Sequence, residues 1–306
     1  MAKKSIDKLL SEKLDFLDFS ESRFLNSIDI VEKNVLKRVL KILRSLSQSE
    51  GRIIQDEASK KLLLRFKKEI LGAIRKSAFV PKVSKFLTDF DEVESLNKNI
   101  YKRSLKRKKL GVNLSLEKQI VIDSVVDSLK TDAAVTANFV NPIKKTLTDA
   151  VRLNQTFAEA ESNLKKLISG AGGESSGLLK RYSTQVTRDA LQGFDGAVND
   201  TIRDAFQLDA FRYVGSLIKD SRQNCKEWVN GEGKFKKYAI RAGAFRVKDL
   251  PAMIKIARNR SGFRPETTPA NFAEKRGGYN CRHQVFYFMM TEEQNEKVEQ
   301  QLAESR

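Results

Sequence analysis

The chain has two cysteines, Cys225 and Cys281, and one histidine, His283, in 306 residues. All three fall in two short polar clusters. The first is Asp220-Ser221-Arg222-Gln223-Asn224-Cys225, followed by Trp228, Gly231 and Phe235. The second is Gly277-Gly278-Tyr279-Asn280-Cys281-Arg282-His283. Two thiolates and an imidazole are good zinc ligands, with Asp220 as the available fourth. The same residues equally fit a metal-free cluster of buried thiols, with Asp220 paired to Arg222 or Arg282 and Asn280 holding a turn. A Cys225–Cys281 disulfide is disfavoured in a reducing cytoplasm. Cysteine–histidine catalysis needs an exposed, activated thiol and an orienting group, and the sequence points to neither. Phosphate-loop, metalloprotease and serine-hydrolase signatures are absent, and one histidine limits acid–base chemistry near neutral pH. An enzyme is therefore not expected.

Basic residues are the second source of chemistry. The net charge is +18 and is segregated. Residues 1–110 hold 27 Lys and Arg against 15 Asp and Glu, and residues 206–290 hold 17 against 7. Such a field attracts nucleic acid or an acidic partner surface. One candidate is the run Lys98, Lys102, Arg103, Lys106, Arg107, Lys108 and Lys109. If helical, its side chains share a face and can bind phosphates. It also reads as a solvated helix end, with Gly111 at C′. The loop residues Arg258, Arg260, Arg264, Lys275 and Arg276 form a second candidate.

The elements that must position these residues are mostly helical. Phe24, Ile28, Val31, Val35, Val39, Ile42 and Leu46 recur every three or four positions, predicting a helix over 20–47 with Ser20 as N-cap. Further helices are expected near 55–78, after Pro81, from Ser115 and from Asn141-Pro142. Another begins at the capping-box spacing Thr156–Glu159. The Gly/Ser-rich stretch 170–177 reads as a hinge. A long helix follows, through Leu179, Val186, Phe194 and Ile202. Strands are expected at 211–218, 235–240 and 285–288, the last central because it is apolar on both faces. A short helix is expected at 249–257, a loop over 258–280, and a closing helix after Thr291-Glu292-Glu293-Gln294. No apolar run is long enough to span a membrane, and no signal core follows Met1-Ala2-Lys3-Lys4-Ser5. The fold class is α+β. A mostly α-helical N-terminal two-thirds (1–175) leads into a small α+β module with a short antiparallel sheet (176–306).

Residues 180–290 resemble the phage Mu F-like head-morphogenesis (minor capsid) family. The resemblance rests on a long helix running into a strand, an Asp-x-Arg-x-x-Cys segment with a glycine about six residues on, and Gly-Gly-x-Asn-Cys-Arg-His opening a final strand. Asp220, Arg222, Cys225, Gly231, Gly277, Gly278, Asn280, Cys281, Arg282 and His283 match that pattern. Gln223-Asn224 stand where the family has a proline–aromatic pair, and the segment after His283 is more apolar than in many relatives. Residues 1–180 resemble no such family. The resemblance implies a minor virion protein, incorporated in the procapsid at the portal vertex in multiple copies. Its partners would be the portal, the capsid and scaffold proteins, and packaged double-stranded DNA. It would act in head assembly or genome packaging and delivery. The expected locations are the host cytoplasm and then the virion, with no membrane association. A non-specific DNA-binding protein without a capsid role is the alternative.

Overall fold

A computed structural model describes residues 5–170, 176–278 and 281–305. The first helix, α1 (Ile6–Arg44), carries the expected apolar stripe, with Phe24, Ile28, Val31, Val35, Val39 and Ile42 all buried. It starts well before Ser20, which is buried inside it rather than capping it. The cause is that the apolar period continues upstream through the buried Leu10 and Leu17.

A two-stranded hairpin, β1 (Gln48–Ser49) and β2 (Arg52–Ile53), turns the chain into α2 (Glu57–Lys76). Asp56 caps α2 by accepting the Ser59 N–H at 2.7 Å. The helix expected after Pro81 is two helices, α3 (Phe79–Leu87) and α4 (Asp89–Ser104). Pro81 sits in the first turn of α3, where its missing N–H removes no helical bond. Then come α5 (Ser115–Leu129) and α6 (Asp132–Val135), which passes through a π-helical turn into α7 (Asn141–Arg152). The Thr156–Glu159 capping box opens α8 (Phe157–Ser169), and Gly170 ends it in the left-handed conformation at φ +64°. The hinge residues 171–175 lie outside the described residues. The long helix α9 (Leu178–Phe206) follows as expected.

The remaining elements are β3 (Ala210–Val214), α10 (Gln223–Asn230), β4 (Ala239–Arg241), β5 (Ala244–Arg246), α11 (Leu250–Arg258), α12 (Phe272–Lys275), β6 (Gln284–Phe288) and α13 (Glu292–Glu304). Of the strand expected at 235–240, residues 235–238 belong to a 3-10 turn (Gly233–Tyr238) and only Ala239 and Ile240 are in a strand, β4. β3 stops at Val214 because Gly215 takes φ +148°, so Leu217 and Ile218 are left exposed. β4, β5, β3 and β6 make one antiparallel sheet in that order. β6 is thus an edge strand, not the expected central one. Its two faces are apolar because both are covered, and its outer edge is capped: the Tyr287 N–H donates to the Tyr101 hydroxyl of α4 at 3.0 Å. α13 opens on the Thr291–Gln294 capping box and buries Val298 against Ala210, Ile240 and Ala244.

The chain divides into two compact units, each built from separated segments. One comprises 1–18, 89–121 and 188–306; the other comprises 19–88 and 122–187. The boundary read from sequence at 175/176 falls inside the second unit. The α+β class holds, with the sheet confined to the first unit.

Candidate metal centre

The centre lies in the unit that holds the sheet. Cys225 is on the buried side of α10, one turn before Trp228, and Gly231 ends that helix in the left-handed region at φ +66°. Gln223 and Asn224 begin α10: the Gln223 side-chain amide donates to Glu227 Oε1 at 2.8 Å, and Asn224 Nδ2 donates to the Ala257 carbonyl at 3.4 Å. Cys281 and His283 lie just ahead of β6. The three side chains are buried and meet. Cys225 Sγ is 3.9 Å from Cys281 Sγ, and Cys281 Sγ is 3.6 Å from His283 Nδ1. All three donor atoms lie within 4.8 Å of one another, so the group could hold a metal ion.

Tyr213, which the sequence did not mark, completes the centre. Its hydroxyl is 3.3 Å from Cys225 Sγ and 3.2 Å from Cys281 Sγ, and its ring stacks on the His283 imidazole with centroids 5.2 Å apart. The signal was in the strand register: Tyr213 pairs with Val285, two residues beyond His283, so the two rings fall on one face. Gly277 makes the cluster sterically possible. A Cβ there would lie 2.4 Å from the Tyr213 hydroxyl, 2.6 Å from Cys225 Sγ and 2.7 Å from Cys281 Sγ. Gly278, at φ +105°, passes so close to Gly262 that a Cβ would sit 2.0 Å from its carbonyl oxygen. Asn280 lies outside the described residues.

The two sulfurs are electrostatically unequal. The Cys281 thiol is held well below its ordinary range by the Cys225 S–H and by His283, against the opposing effect of burial. Cys225 is pushed up, first by its contact with Cys281 and then by burial. Of the two sulfurs, Cys281 is the one that favours the thiolate form. Burial also pushes the Tyr213 phenol well above its ordinary value, so the hydroxyl stays protonated and can donate to that thiolate. Among the described residues, buried His283 Nε2 has no hydrogen-bond partner.

Comparison with protein-family models, with curated proteins and with solved structures finds no match to this chain.

The other expected site residues are dispersed. Asp220 is exposed and stands outside the sulfur–imidazole trio. It lines a cleft of about 390 Å³ together with Arg222, Arg282 and the trio. Arg222 precedes α10 and donates to the Gly277 carbonyl at 3.4 Å, tying the two clusters together. The run 98–109 is not one helical face. α4 ends at Ser104, and Lys106 takes φ +53° as the C′ residue of a Schellman closure, with the Arg107 N–H reaching the Lys102 carbonyl at 2.9 Å. Lys106, not Gly111, ends that helix. Lys98 pairs with Glu94, and Arg107 stacks over Phe206 at 4.9 Å. Arg103, Lys108 and Lys109 are exposed, and Lys102 is half-buried.

Most of the loop arginines are structural. Arg276 is buried, its guanidinium donating to the Ala273 and Gln192 carbonyls. Arg260 pairs with Glu227 at 3.0 Å, Arg264 with Asp189 at 3.2 Å, and Arg258 donates to the Thr267 carbonyl. They brace the loop because a stretch so poor in apolar residues is held by hydrogen bonds to the helices beneath it. A buried polar chain also escaped the sequence reading. Lys13 pairs with Asp195 at 2.8 Å, Asn97 bridges them, and Tyr101 donates to Asn199 Oδ1 at 2.7 Å.

Proposed function

We propose that the chain is a minor head protein of a tailed bacteriophage, incorporated at the portal vertex beside packaged double-stranded DNA. The convergence of the two family-like clusters supports this reading most. Cys225 from the first cluster and Cys281 and His283 from the second, far apart in sequence, build one buried centre, and Gly277 is the glycine that leaves room for it. In this reading the centre is structural. It pins α10 to the start of β6 and so shapes a recognition head that contacts portal, capsid and scaffold proteins. Multiple copies enter each particle, assembled in the host cytoplasm and retained in the virion.

An enzymatic role is disfavoured on chemical grounds. Both thiols are buried and Cys225 is pushed away from the thiolate form. Among the contacts described for His283, none is to a carboxylate that would orient it. A DNA-binding protein with no capsid role is the second reading, favoured by the net charge of +18.

We further propose that the ion held by Cys225, Cys281 and His283 is zinc. Tetrahedral zinc with ordinary bond lengths sets two thiolates about 3.8 Å apart and a thiolate and an imidazole nitrogen about 3.6 Å apart. The Cys225–Cys281 separation of 3.9 Å and the Cys281–His283 separation of 3.6 Å match these values, and all three donor atoms lie within 4.8 Å of one another. The lowering of the Cys281 thiol favours the ligand form. Zinc bound here would be held by Cys225, Cys281 and His283 and would supply a fold-stabilising cross-link between the two clusters.

Co-purification tests the function: tagged full-length protein is expected to retain the portal protein of the phage that carries it. Retention of DNA alone, insensitive to portal and sensitive to nuclease, contradicts the head assignment and favours the second reading. Elemental analysis of the purified protein is expected to give about one zinc per chain, and a metal-free protein with the same thermal stability contradicts the zinc assignment.

A further inference from the structure

A second concentration of basic charge in the N-terminal region lies outside the run 98–109. Residues 33–76 hold 13 Lys and Arg against 4 Asp and Glu, a net +9 that is half the charge of the chain. α1 and α2 form an antiparallel pair within one compact unit. Asn34 Nδ2 donates to Ser77 Oγ at 3.2 Å, Arg38 pairs with Glu69, and the Ser47 N–H donates to Ser59 Oγ at 3.2 Å.

Opposite the buried stripe of α1, Lys33, Lys37, Lys41 and Arg44 form an exposed row. Steps of three or four residues place successive charges about 5–6 Å apart over about 16 Å. The outward side of α2 presents Lys61, Arg65 and Lys68, also exposed. None of these seven is ion-paired to a described residue. Acids that border the rows are already engaged, Glu69 by Arg38, Glu57 by Lys60, and Asp29, one turn before Lys33, by Lys180. Two rows of free cations lie side by side, with neutralised acids at their margins.

We infer that this α1–α2 face binds the phosphate backbone of duplex DNA. The proposal does not depend on the head assignment, because the face lies outside the residues that carry the family resemblance. Duplex DNA presents about ten negative charges over the 16 Å of the longer row. Lysines, five of the seven cations, act as point charges toward phosphate and read no sequence. Single strands are disfavoured because binding them uses stacking aromatics. The one aromatic between residues 33 and 76 is Phe66, which is fully buried. A lipid surface is disfavoured because interfacial helices insert apolar side chains: the large apolar groups exposed on α1 and α2 are Phe19, Ile30 and Leu64, and only Leu64 lies within residues 33–76.

The test is fluorescence anisotropy of a labelled 30-base-pair duplex across a salt series, with full-length protein. The triple variant Lys37→Gln, Lys41→Gln, Arg65→Gln is expected to bind at least tenfold more weakly at 0.1 M salt. Its slope of log affinity against log salt is expected to be shallower by about 2 to 3. The variant Lys108→Gln, Lys109→Gln is expected to bind like the wild type. An unchanged affinity and slope in the triple variant overturns the proposal. So does a loss of binding to phosphatidylglycerol vesicles with duplex binding intact. If the triple variant does not fold, amine-reactive labelling of wild-type protein decides the matter. Duplex is expected to protect Lys37, Lys41, Lys61 and Lys68, and equal labelling with and without duplex overturns the inference.

Discussion

Gly277 is where one methyl group would do most harm to the centre. A Cβ at that position meets the Tyr213 hydroxyl and both sulfurs at 2.4–2.7 Å, so Gly277→Ala must push apart groups that make the site. The expected cost is about 1–3 kcal/mol, the range for overpacking a filled core. It is read by denaturant unfolding, and bound zinc should fall with it. Glu32 gives a pH prediction. Burial raises its carboxyl from the ordinary 4.5 to about 7, although it accepts the Lys180 N–H at 2.9 Å. The folded state therefore holds a proton that the unfolded chain releases near pH 4.5. The stability from this group is complete below that value and is lost as pH rises to about 7. Glu32→Gln keeps an acceptor for that N–H. It should stabilise the protein by on the order of 1 kcal/mol at pH 8 and by nothing at pH 4, as measured by thermal melts. At this scale the sequence revealed the rare residues and little else. Cysteine and histidine stand out by type. Tyr213, Lys13 and the buried Arg276 do not, because their roles come from partners far away in the chain.

Elements were legible where their determinants are local. The capping boxes at Thr156 and Thr291 form as expected because donor and acceptor are three residues apart. Ser20 misled because a serine ahead of an apolar stripe resembles a cap whether or not the stripe also continues upstream. β6 misled for a different reason: an edge strand covered by a helix has the same apolar pattern as a central one. The cover is specific, since Tyr101 accepts the Tyr287 N–H while donating to Asn199. Tyr101→Phe should leave that buried N–H without a partner and cost about 1–3 kcal/mol in chemical unfolding. An unchanged stability would show that the edge is not held in this way.

At the level of the whole molecule, the α+β class was legible from periodicity, whereas the division into units was not. Each unit draws on segments separated by tens of residues, and α1, α5 and α9 each contribute to both. No shift in composition marks such a boundary. Charge was legible in amount but not in place. The run 98–109 stands out as a candidate because its seven basic residues are closely spaced in sequence, whereas residues 33–76 carry a larger net charge spread over two helices. The main-chain turn at Lys106 separates that run into a helix end and a loop. Among the described residues no helix is long and apolar enough to cross a membrane. The protein composition of purified proheads and mature heads, from the phage that carries this chain, tests the account most directly. The protein is expected in both, at a small fraction of the major capsid protein, and its absence from both particles overturns the head assignment.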